Sequence, residues 1–191
     1  MPSTRRSELV HGLLPVGPAS PSDSRGDRRR ARAVARAVEQ DRAVRSRLDA
    51  ARVVIAGAAD VVAGGWIQNA WYQVRDDTAA VRTVTAHNLC LLECGPVISA
   101  CLVGAVVQAA GGRYAAHDQV TGDALDLVWH AAFADDSRSA IRLGPPPSVR
   151  SLRVRELTRW NDRPGRCIGE VLELLDTADD RAIAEAVSNR R

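Results

Sequence analysis

Four residues with metal-binding side chains lie close together in the sequence: His87, Cys90, Cys94 and Cys101. Imidazole and thiolate groups are ligands that Zn²⁺ prefers. On one continuous helix, His87 and Cys94 would be about 10 Å apart along the axis, too far to share an ion. A Gly-Pro pair after Cys94 also breaks such a helix. We therefore favour small buried hydrophobic residues over a zinc site, and we expect no metal and no cofactor.

A second pattern follows the order of a Cys-His-Asn hydrolase. Cys101 precedes His117 and His130, and Asn161 follows them. A nucleophilic thiol needs a lowered pKa, which a helix N-terminus can provide. The apolar spacing instead predicts that Cys101 lies inside a helix, on its apolar face, with an inert thiol. The sequence also has no phosphate loop, dinucleotide fingerprint, nucleophile elbow or HExxH motif, which disfavours nucleotide-driven and metalloprotease chemistry.

Basic residues are concentrated near the N-terminus. Residues 1–52 contain twelve arginines and six acidic residues, whereas residues 53–191 contain fourteen and seventeen. Such a segment can bind phosphates without sequence preference, although it lacks aromatic residues for base stacking. A solvated tail is the favoured interpretation, and anion or nucleic-acid binding is the alternative. The candidate anion-binding residues are Arg28, Arg29, Arg30, Arg32 and Arg36.

The composition predicts one mostly helical domain. The chain has 191 residues, of which 46% are hydrophobic and only 4% aromatic, so Ala, Val and Leu must form the core. No signal peptide is visible, and the longest apolar run, Pro96 to Ala110, is shorter than the roughly 20 residues of a membrane span. We expect a cytoplasmic protein without membrane association, with its four cysteines reduced and buried.

The N-terminal third predicts a disordered tail followed by a helix. Residues 1–27 are rich in Pro, Ser and Arg, which is typical of disorder. Residues 28–63 predict a helix that stops at Gly64-Gly65. Before Leu48 its apolar stripe is thin, so we interpret residues 28–47 as a basic helical arm, either projecting or forming a weak coiled coil. The stripe consists of Val34, Ala37, Asp41, Val44, Leu48, Ala51, Ile55 and Ala58.

The middle of the chain predicts a short β-element and a helix. Between Trp66 and Ala86, alternating apolar residues around Asp76-Asp77 indicate a hairpin, with an irregular loop as the competing interpretation. The hairpin positions are Tyr72, Val74, Val81 and Val84. A helix is then predicted from Gly95-Pro96 to Gly111-Gly112. Its apolar face would be Val97, Cys101, Leu102, Ala105 and Gln108-Ala109.

Three further helices are predicted towards the C-terminus. The first covers Thr121 to Phe133 with Thr121 as N-cap and with Leu125, Val128, Trp129 and Ala132 inward. Asp135 to Pro147 is a predicted loop. The second covers Ser148 to Trp160, with Val149, Leu152, Leu157 and Trp160 on its inward face. The third covers Cys167 to Asp176, with Ile168, Val171, Leu172 and Leu175 inward, and residues 179–191 continue as a frayed tail.

Three segments together resemble a known family. Residues 57–69 read GAADVVAGGWIQN, residues 101–111 read CLVGAVVQAAG, and residues 160–166 read WNDRPGR, followed by GEVLELL. They resemble, in the same order, a family of small actinobacterial and phage-associated domains of unknown function. The resemblance covers about Leu48 to Ala178 and implies no activity. Its motif residues are Trp66, Gln68, Cys101, Gly104, Trp160, Asn161, Asp162, Pro164, Gly165 and Arg166.

These motif residues have a structural interpretation. Trp160 can bury its ring while its N–H finds a carbonyl, and Asn161 or Asp162 can cap backbone groups at a corner. Pro164-Gly165 sets a turn, and Arg166 can pair with Asp162 or with a helix C-terminus. The chain departs from the family after Arg166, where Cys-Ile-Gly-Glu replaces the Thr-x-Glu-Glu capping box. Ile67 also stands where the resemblance leads us to expect Cys.

The sequence therefore predicts a mostly α fold, a compact bundle of about five helices with a short β-hairpin and a disordered N-terminal tail. The helical domain would cover residues 48–178. The leading functional prediction is a non-enzymatic interaction module that binds an unknown protein partner or associates with itself. Anion or nucleic-acid binding through the arm is the alternative, and a Cys-dependent hydrolase is the third.

Overall fold

The structure is a computed structural model, and it describes residues 21–85, 87–134, 141 and 143–188. These residues form a mostly α fold with a small antiparallel sheet. The helices are α1 (Pro21–Gly64), α2 (Leu102–Ala109), α3 (Gln119–Phe133), α4 (Pro147–Asn161) and α5 (Ile168–Ser188). The strands are β1 (Tyr72–Arg75), β2 (Val81–Val84) and β3 (Val97–Ala100), in the order β2-β1-β3. The predicted fold class is confirmed, whereas the first twenty residues of the tail predicted at 1–27 and most of the loop at residues 135–147 lie outside the described residues.

The long helix α1 follows the predicted stripe. The chain divides into two units between Gln40 and Asp41. In the first unit, α1 begins at Pro21 instead of Arg28, and its side chains from Arg25 to Gln40 are exposed. In the second unit, the stripe from Leu48 onwards is buried, and the helix ends at Gly64, at the predicted stop. Apolar residues at three- and four-residue spacing face the core there because they share one side of the helix.

The predicted hairpin is confirmed. Strands β1 and β2 pair antiparallel with Tyr72 opposite Val84, and both side chains are buried. The turn needs no glycine because the Asp76 carboxylate accepts hydrogen bonds from the backbone N–H groups of Thr78 at 2.9 Å and Ala80 at 3.0 Å. The Thr78 hydroxyl and Arg82 also donate to Asp76, and these bonds lower its pKa to about 2. An aspartate that bonds the backbone two residues further on is a common turn device.

The helix predicted from Gly95-Pro96 is wrong in its first part. Val97 to Ala100 form β3, which pairs antiparallel with β1, and α2 begins only at Leu102. The β-branched Val97 and Ile98 suit a strand, and β1 offers them a hydrogen-bonding edge that the sequence pattern does not show. The end of α2 agrees with the prediction, because Gly111 and Gly112 have positive φ angles of 123° and 81° and stop the helix.

The three C-terminal helices form where they are predicted, with corrections at single residues. Thr121 is not an N-cap: it lies inside α3 and donates its hydroxyl proton to the carbonyl of Ala115 at 2.6 Å. The inward face predicted for α4 is wrong at Val149 and Leu152, and that predicted for α5 is wrong at Ile168, because all three are exposed. Helix α5 continues to Ser188, and residues 189–191 lie outside the described part.

The core is built mainly from aliphatic side chains, as the composition requires. Helix α3 packs against α2, α4 and α5 and contributes the buried residues Leu125, Leu127 and Val128. Tyr72 is the large aromatic residue at the centre, and its burial raises the pKa of its hydroxyl. In the described part of the chain, no helix is long and apolar enough to cross a membrane.

Candidate functional site

A single buried amide side chain joins three distant segments. Asn161, the last residue of α4, is 0% exposed. Its Oδ1 accepts hydrogen bonds from Trp66 Nε1 at 2.8 Å and from the backbone N–H of Leu102 at 3.0 Å. Its Nδ2 donates to the carbonyl of Ile67 at 3.2 Å and to Asp162 Oδ1 at 2.8 Å. The Leu102 N–H belongs to the first turn of α2, where it has no intrahelical acceptor, so Asn161 caps α2 from another helix.

A second set of hydrogen bonds joins the segment after α1 to the turn after α4. Gln68 Nε2 donates to the carbonyls of Asn161 at 2.8 Å and Arg163 at 3.1 Å. The Asp162 carboxylate accepts from the backbone N–H of Asn69 at 2.9 Å, and Asn69 has a positive φ of 60°. These bonds satisfy the carbonyls at the end of α4. The side chains of Asn161 and Asp162 therefore bond backbone groups of distant segments, at Ile67, Asn69 and Leu102, and not orphan groups of their own corner.

Cys101 lies where the sequence argument did not place it. It is the N-cap of α2, and its Sγ accepts a hydrogen bond from the N–H of Gly104 at 3.3 Å. A helix N-terminus would activate a thiol, but Cys101 is buried, and that burial raises its pKa to about 11. Gly104 allows close packing, since a Cβ there would lie 2.5 Å from the carbonyl oxygen of Trp71. Cys101 thus acts as a helix cap with a protonated thiol.

The corner between α4 and α5 is held by one arginine. Gly165 has a positive φ of 84° in the turn after Pro164. Arg166 Nε donates to the carbonyl of Trp160 at 3.2 Å, so the predicted pairing with a helix C-terminus is present. The Trp160 ring is half-buried and packs against the core, and the Arg166 guanidinium lies over it at 3.7 Å. This geometry is a cation–π contact.

The start of α5 retains half of a capping box. Glu170 Oε2 accepts from the backbone N–H of Cys167 at 2.8 Å, and its Oε1 pairs with Arg166 Nη1 at 2.7 Å. The Cys167 hydrogen bond is the main cause of the lowered pKa of Glu170. The missing Thr is therefore compensated by the glutamate three residues later, which is the other half of the same motif.

The candidate metal ligands do not form a site. Cys90 lies in a short 3-10 helix, Leu89–Glu93, and Cys94 caps its end, so the continuous helix considered above does not exist. The prediction that the cysteines are buried is wrong for Cys90, Cys94 and Cys167, which are exposed, and holds for Cys101. Among the described residues, no three His, Cys, Asp or Glu side chains are grouped to hold a metal ion.

The histidines of the predicted triad lie elsewhere. His117 ends a 3-10 helix before α3, and His130 is buried near the end of α3. Within the described residues, neither histidine forms a hydrogen bond with Cys101, and the Cys101 thiol accepts one from the Gly104 N–H instead. The chain order Cys-His-Asn does not therefore correspond to a hydrogen-bonded triad in this structure.

A buried ion-pair cluster was not predicted from the sequence. Asp123 and Asp126 on α3 are each almost fully buried. Asp123 accepts two hydrogen bonds from Arg47, at 2.8 Å and 2.7 Å, which link α3 to α1. Asp126 pairs with Arg153 at 2.8 Å and with Arg150 at 3.2 Å, which link α3 to α4. Removing one partner of such a buried pair leaves an uncompensated charge and is strongly destabilising.

A cavity of about 500 Å³ lies beside this cluster, between α2, α3 and α4. Val103, Val107 and Leu125 form its apolar wall, and Arg150 lies at its polar side. Gly122 makes room for that guanidinium, because a Cβ there would overlap it. Arg150 pairs with Asp126 through Nη2, while its buried Nε has no hydrogen-bond partner among the described residues.

The outward face of α4 combines apolar and basic residues. Val149 and Leu152 are 39% and 48% exposed. Arg155 and Arg159 continue the same face at helical spacing, and Arg163 follows in the turn after the helix. These three exposed arginines form no ion pair within the part of the chain that the structure describes. We name this set the α4 stripe: Val149, Leu152, Arg155, Arg159 and Arg163. The one acidic residue of α4, Glu156, accepts a hydrogen bond from Trp129 Nε1 at 2.6 Å.

The basic arm is a separate feature. Its five candidate anion-binding residues are exposed on the N-terminal half of α1, in the first unit. Arg36 Nε donates to the carbonyl of Arg32 at 3.3 Å, one helical turn earlier. The structure holds these guanidinium groups on a helix, so an extended anion such as a phosphate backbone could contact several of them.

Comparisons with known proteins identify the family to which most of the chain belongs. A family model described as a family of unknown function, DUF6197, matches residues 45–181. That range includes the three motif segments, which meet around Asn161, and leaves out most of the basic arm. Neither the comparison with curated proteins nor that with solved structures gives a match.

Proposed function

Because the chain belongs to this family of unknown function, we propose its role from its own surface: a cytoplasmic, non-enzymatic protein-interaction module. The observation that carries the proposal is the α4 stripe, where exposed Val149 and Leu152 lie beside arginines that form no ion pair with any described residue. Interfaces combine apolar residues with arginine in this way. The actinobacterial and phage association of the family stays a prediction of the resemblance.

The interior supports the same proposal. The polar groups of the motif bond one another, and the side chains of Asn161 and Asp126 are buried and bonded to partners from other elements. The thiol of Cys101 is buried and has a raised pKa. These groups explain how the helices are fixed, whereas the exposed Val149 and Leu152 make no contribution to the buried core.

A site-specific photocrosslinker tests this role in the host cell. We would place it at Leu152 in the full-length protein, with Val53 as the matched control, an aliphatic helix residue that is 74% exposed. We expect a crosslinked protein from position 152 and none from position 53. The crosslink should disappear when Arg159→Glu is added. Equal yields at both positions, or none at 152, would overturn the proposal.

Anion binding through the basic arm is the second candidate, supported by the exposure of its five arginines on one helix. Replacing all five by glutamine should abolish binding to duplex DNA or polyphosphate. If all five contact phosphates, log K should fall against log salt with a slope of about −4.5. Unchanged binding by the glutamine variant would exclude the arm.

A Cys101-dependent hydrolase is the third candidate. It requires a thiolate, and burial of Cys101 opposes that form at neutral pH. Native protein in which an acyl-type thiol probe labels Cys101 would restore this candidate.

A further inference from the structure

A second exposed stripe lies on α5. Its residues share one face opposite the buried Val171, Leu175 and Ala178. We name this set the α5 stripe: Glu173, Asp176, Asp180, Ile183 and Val187. All five are exposed, with Ile183 at 40% and Val187 at 50%, and they form no ion pair in the described ranges. The α5 stripe is therefore acidic at its N-terminal end and apolar at its C-terminal end.

The α4 stripe has the opposite order of chemistry. It is apolar at Val149 and Leu152 and basic at its C-terminal end. Each stripe covers the same number of residues, 149–163 and 173–187. The α5 stripe is helical throughout and about 21 Å long, whereas the α4 stripe is helical to Asn161 and ends with Arg163 in the following turn. If the two run antiparallel, every apolar residue of one stripe faces an apolar residue of the other, and every arginine faces a carboxylate.

We propose that a second copy of this chain binds here, with the α4 stripe of one copy antiparallel to the α5 stripe of the other. This inference rests on the proposed interaction function and names its partner. The contacts are Val149 with Val187, Leu152 with Ile183, Arg155 with Asp180, Arg159 with Asp176, and Arg163 with Glu173. Each copy carries both stripes, so each can use its α4 stripe for one contact and its α5 stripe for the other.

The other arrangements are disfavoured by charge. In a parallel pairing of the two stripes, Val149 faces Glu173 and Arg163 faces Val187, so charges meet apolar side chains. Two α4 stripes in antiparallel contact place Arg155 against Arg155, and two α5 stripes place Asp180 against Asp180. Like charges at an interface oppose association, and complementary ones select the register.

The expected association is weak and depends on salt. One pair of helix faces about 21 Å long buries less than the roughly 800 Å² per partner of a standard interface. The arginine–carboxylate pairs are exposed, so their attraction is screened as the ionic strength rises. Sedimentation velocity should therefore be recorded at low salt, with protein concentrations from micromolar to millimolar.

A charge-swap experiment tests the register in the full-length protein. The variants are Arg159→Glu and Asp176→Arg, measured alone and as an equimolar mixture. Each variant alone should self-associate at least about tenfold more weakly than the wild type, because residues 159 and 176 then carry like charges. The mixture should recover association, because each copy then meets a complementary partner at both contacts.

Two further variants keep this test decisive. Asp60→Arg changes the net charge as Asp176→Arg does, at an exposed position of α1 outside both stripes, and should leave association unchanged. If Arg159→Glu does not fold, Arg155→Glu with Asp180→Arg tests the next contact of the same register. Circular dichroism establishes that each variant is folded.

The outcomes separate this inference from the proposed function. A wild type that stays monomeric at millimolar concentration, or a mixture that does not associate, overturns the second-copy proposal. If position 152 still crosslinks to a different protein, the interaction function stands with another partner. Association that is lost when the arm arginines become glutamine, and kept in Arg159→Glu, assigns self-association to the basic arm instead.

Discussion

Replacing Asn161 by alanine should destabilise the fold more than replacing the neighbouring Gln68 by alanine. The change removes both acceptor bonds of Oδ1 and both donor bonds of Nδ2. The buried N–H of Leu102 loses its partner, and leaving one buried group unsatisfied costs about 1–3 kcal/mol. The carbonyl of Ile67 loses a donor as well. We expect a total loss of about 2–4 kcal/mol, a large part of the typical 5–15 kcal/mol of a domain.

Urea unfolding followed by circular dichroism measures this loss. With a denaturant slope of about 2 kcal/mol per molar, the midpoint should fall by about 1–2 M. Gln68→Ala is the control, because Gln68 is only half-buried and the carbonyls that it bonds are near solvent. The control should shift the midpoint much less. A shift for Asn161→Ala no larger than that of Gln68→Ala would refute the view that Asn161 is the centre of the corner.

A double-mutant cycle isolates the hydrogen bond between the two motif segments. Trp66→Phe removes the indole N–H that donates to Asn161 Oδ1 at 2.8 Å. Combined with Asn161→Ala, it should show a coupling of about 0.5–3 kcal/mol. Trp129→Phe is the matched control, since its indole N–H donates to Glu156 instead, and its effect should add to that of Asn161→Ala without coupling.

Three more predictions follow from the same contacts. A thiol reagent should label the exposed Cys90, Cys94 and Cys167 in the native protein and Cys101 only on unfolding, because Cys101 is buried with a pKa raised to about 11; fast labelling of all four would contradict this. Gly169→Ala should raise the unfolding free energy by about 0.5–1 kcal/mol, since a Cβ there meets only Cys167 Sγ at 3.8 Å. Gly104→Ala should lower the unfolding free energy by about 1–3 kcal/mol, because its Cβ would press on the Trp71 carbonyl. Thermal melts that show the same sign for both variants would be inconsistent with this packing. Burial lowers the pKa of His130, and the positive charges of Arg153 and Arg181 lower it further against the opposing effect of Asp126. Because the unfolded chain then binds the proton more readily than the folded one, the unfolding free energy should fall as the pH drops below about 6.5. His130→Gln should flatten that pH dependence in denaturation series at pH 5 to 7, and an unchanged slope would count against this prediction.

The sequence was sufficient for the elements that local patterns define. The alternation at Tyr72, Val74, Val81 and Val84 predicts the hairpin, and the apolar spacing after Leu48 predicts the buried half of α1. Strand β3 could not be found in the same way. It is four residues long and runs directly into a helix of similar composition, and its partner is β1, more than twenty residues earlier. Periodicity cannot separate a short apolar strand from a buried helix.

The candidate site could likewise be predicted from the sequence only in part. The resemblance identifies the motif residues, but their meeting at Asn161 depends on contacts between residues 59 to 95 positions apart, which no local pattern contains. The buried cluster did leave a signal. Asp123 and Asp126 are three residues apart on an otherwise apolar helix face, and the inward arginines of α4 are three apart as well. Paired charges at matching helical spacing indicate buried ion pairs. The prediction for α4 considered its apolar residues alone and overlooked these charges.

The buried arginines also explain why the predicted inward face of α4 is wrong. Arg153 turns towards Asp126 and Asn161 towards α2, and both lie on the inner side of the helix. With that side occupied by polar anchors, Val149 and Leu152 face outward. The same residues therefore decide the fold and the surface: the polar anchors fix how α4 is rotated, and that rotation exposes the apolar end of the α4 stripe. Substitution of Asp126 would disturb both, so only surface changes such as Arg159→Glu can separate recognition from stability.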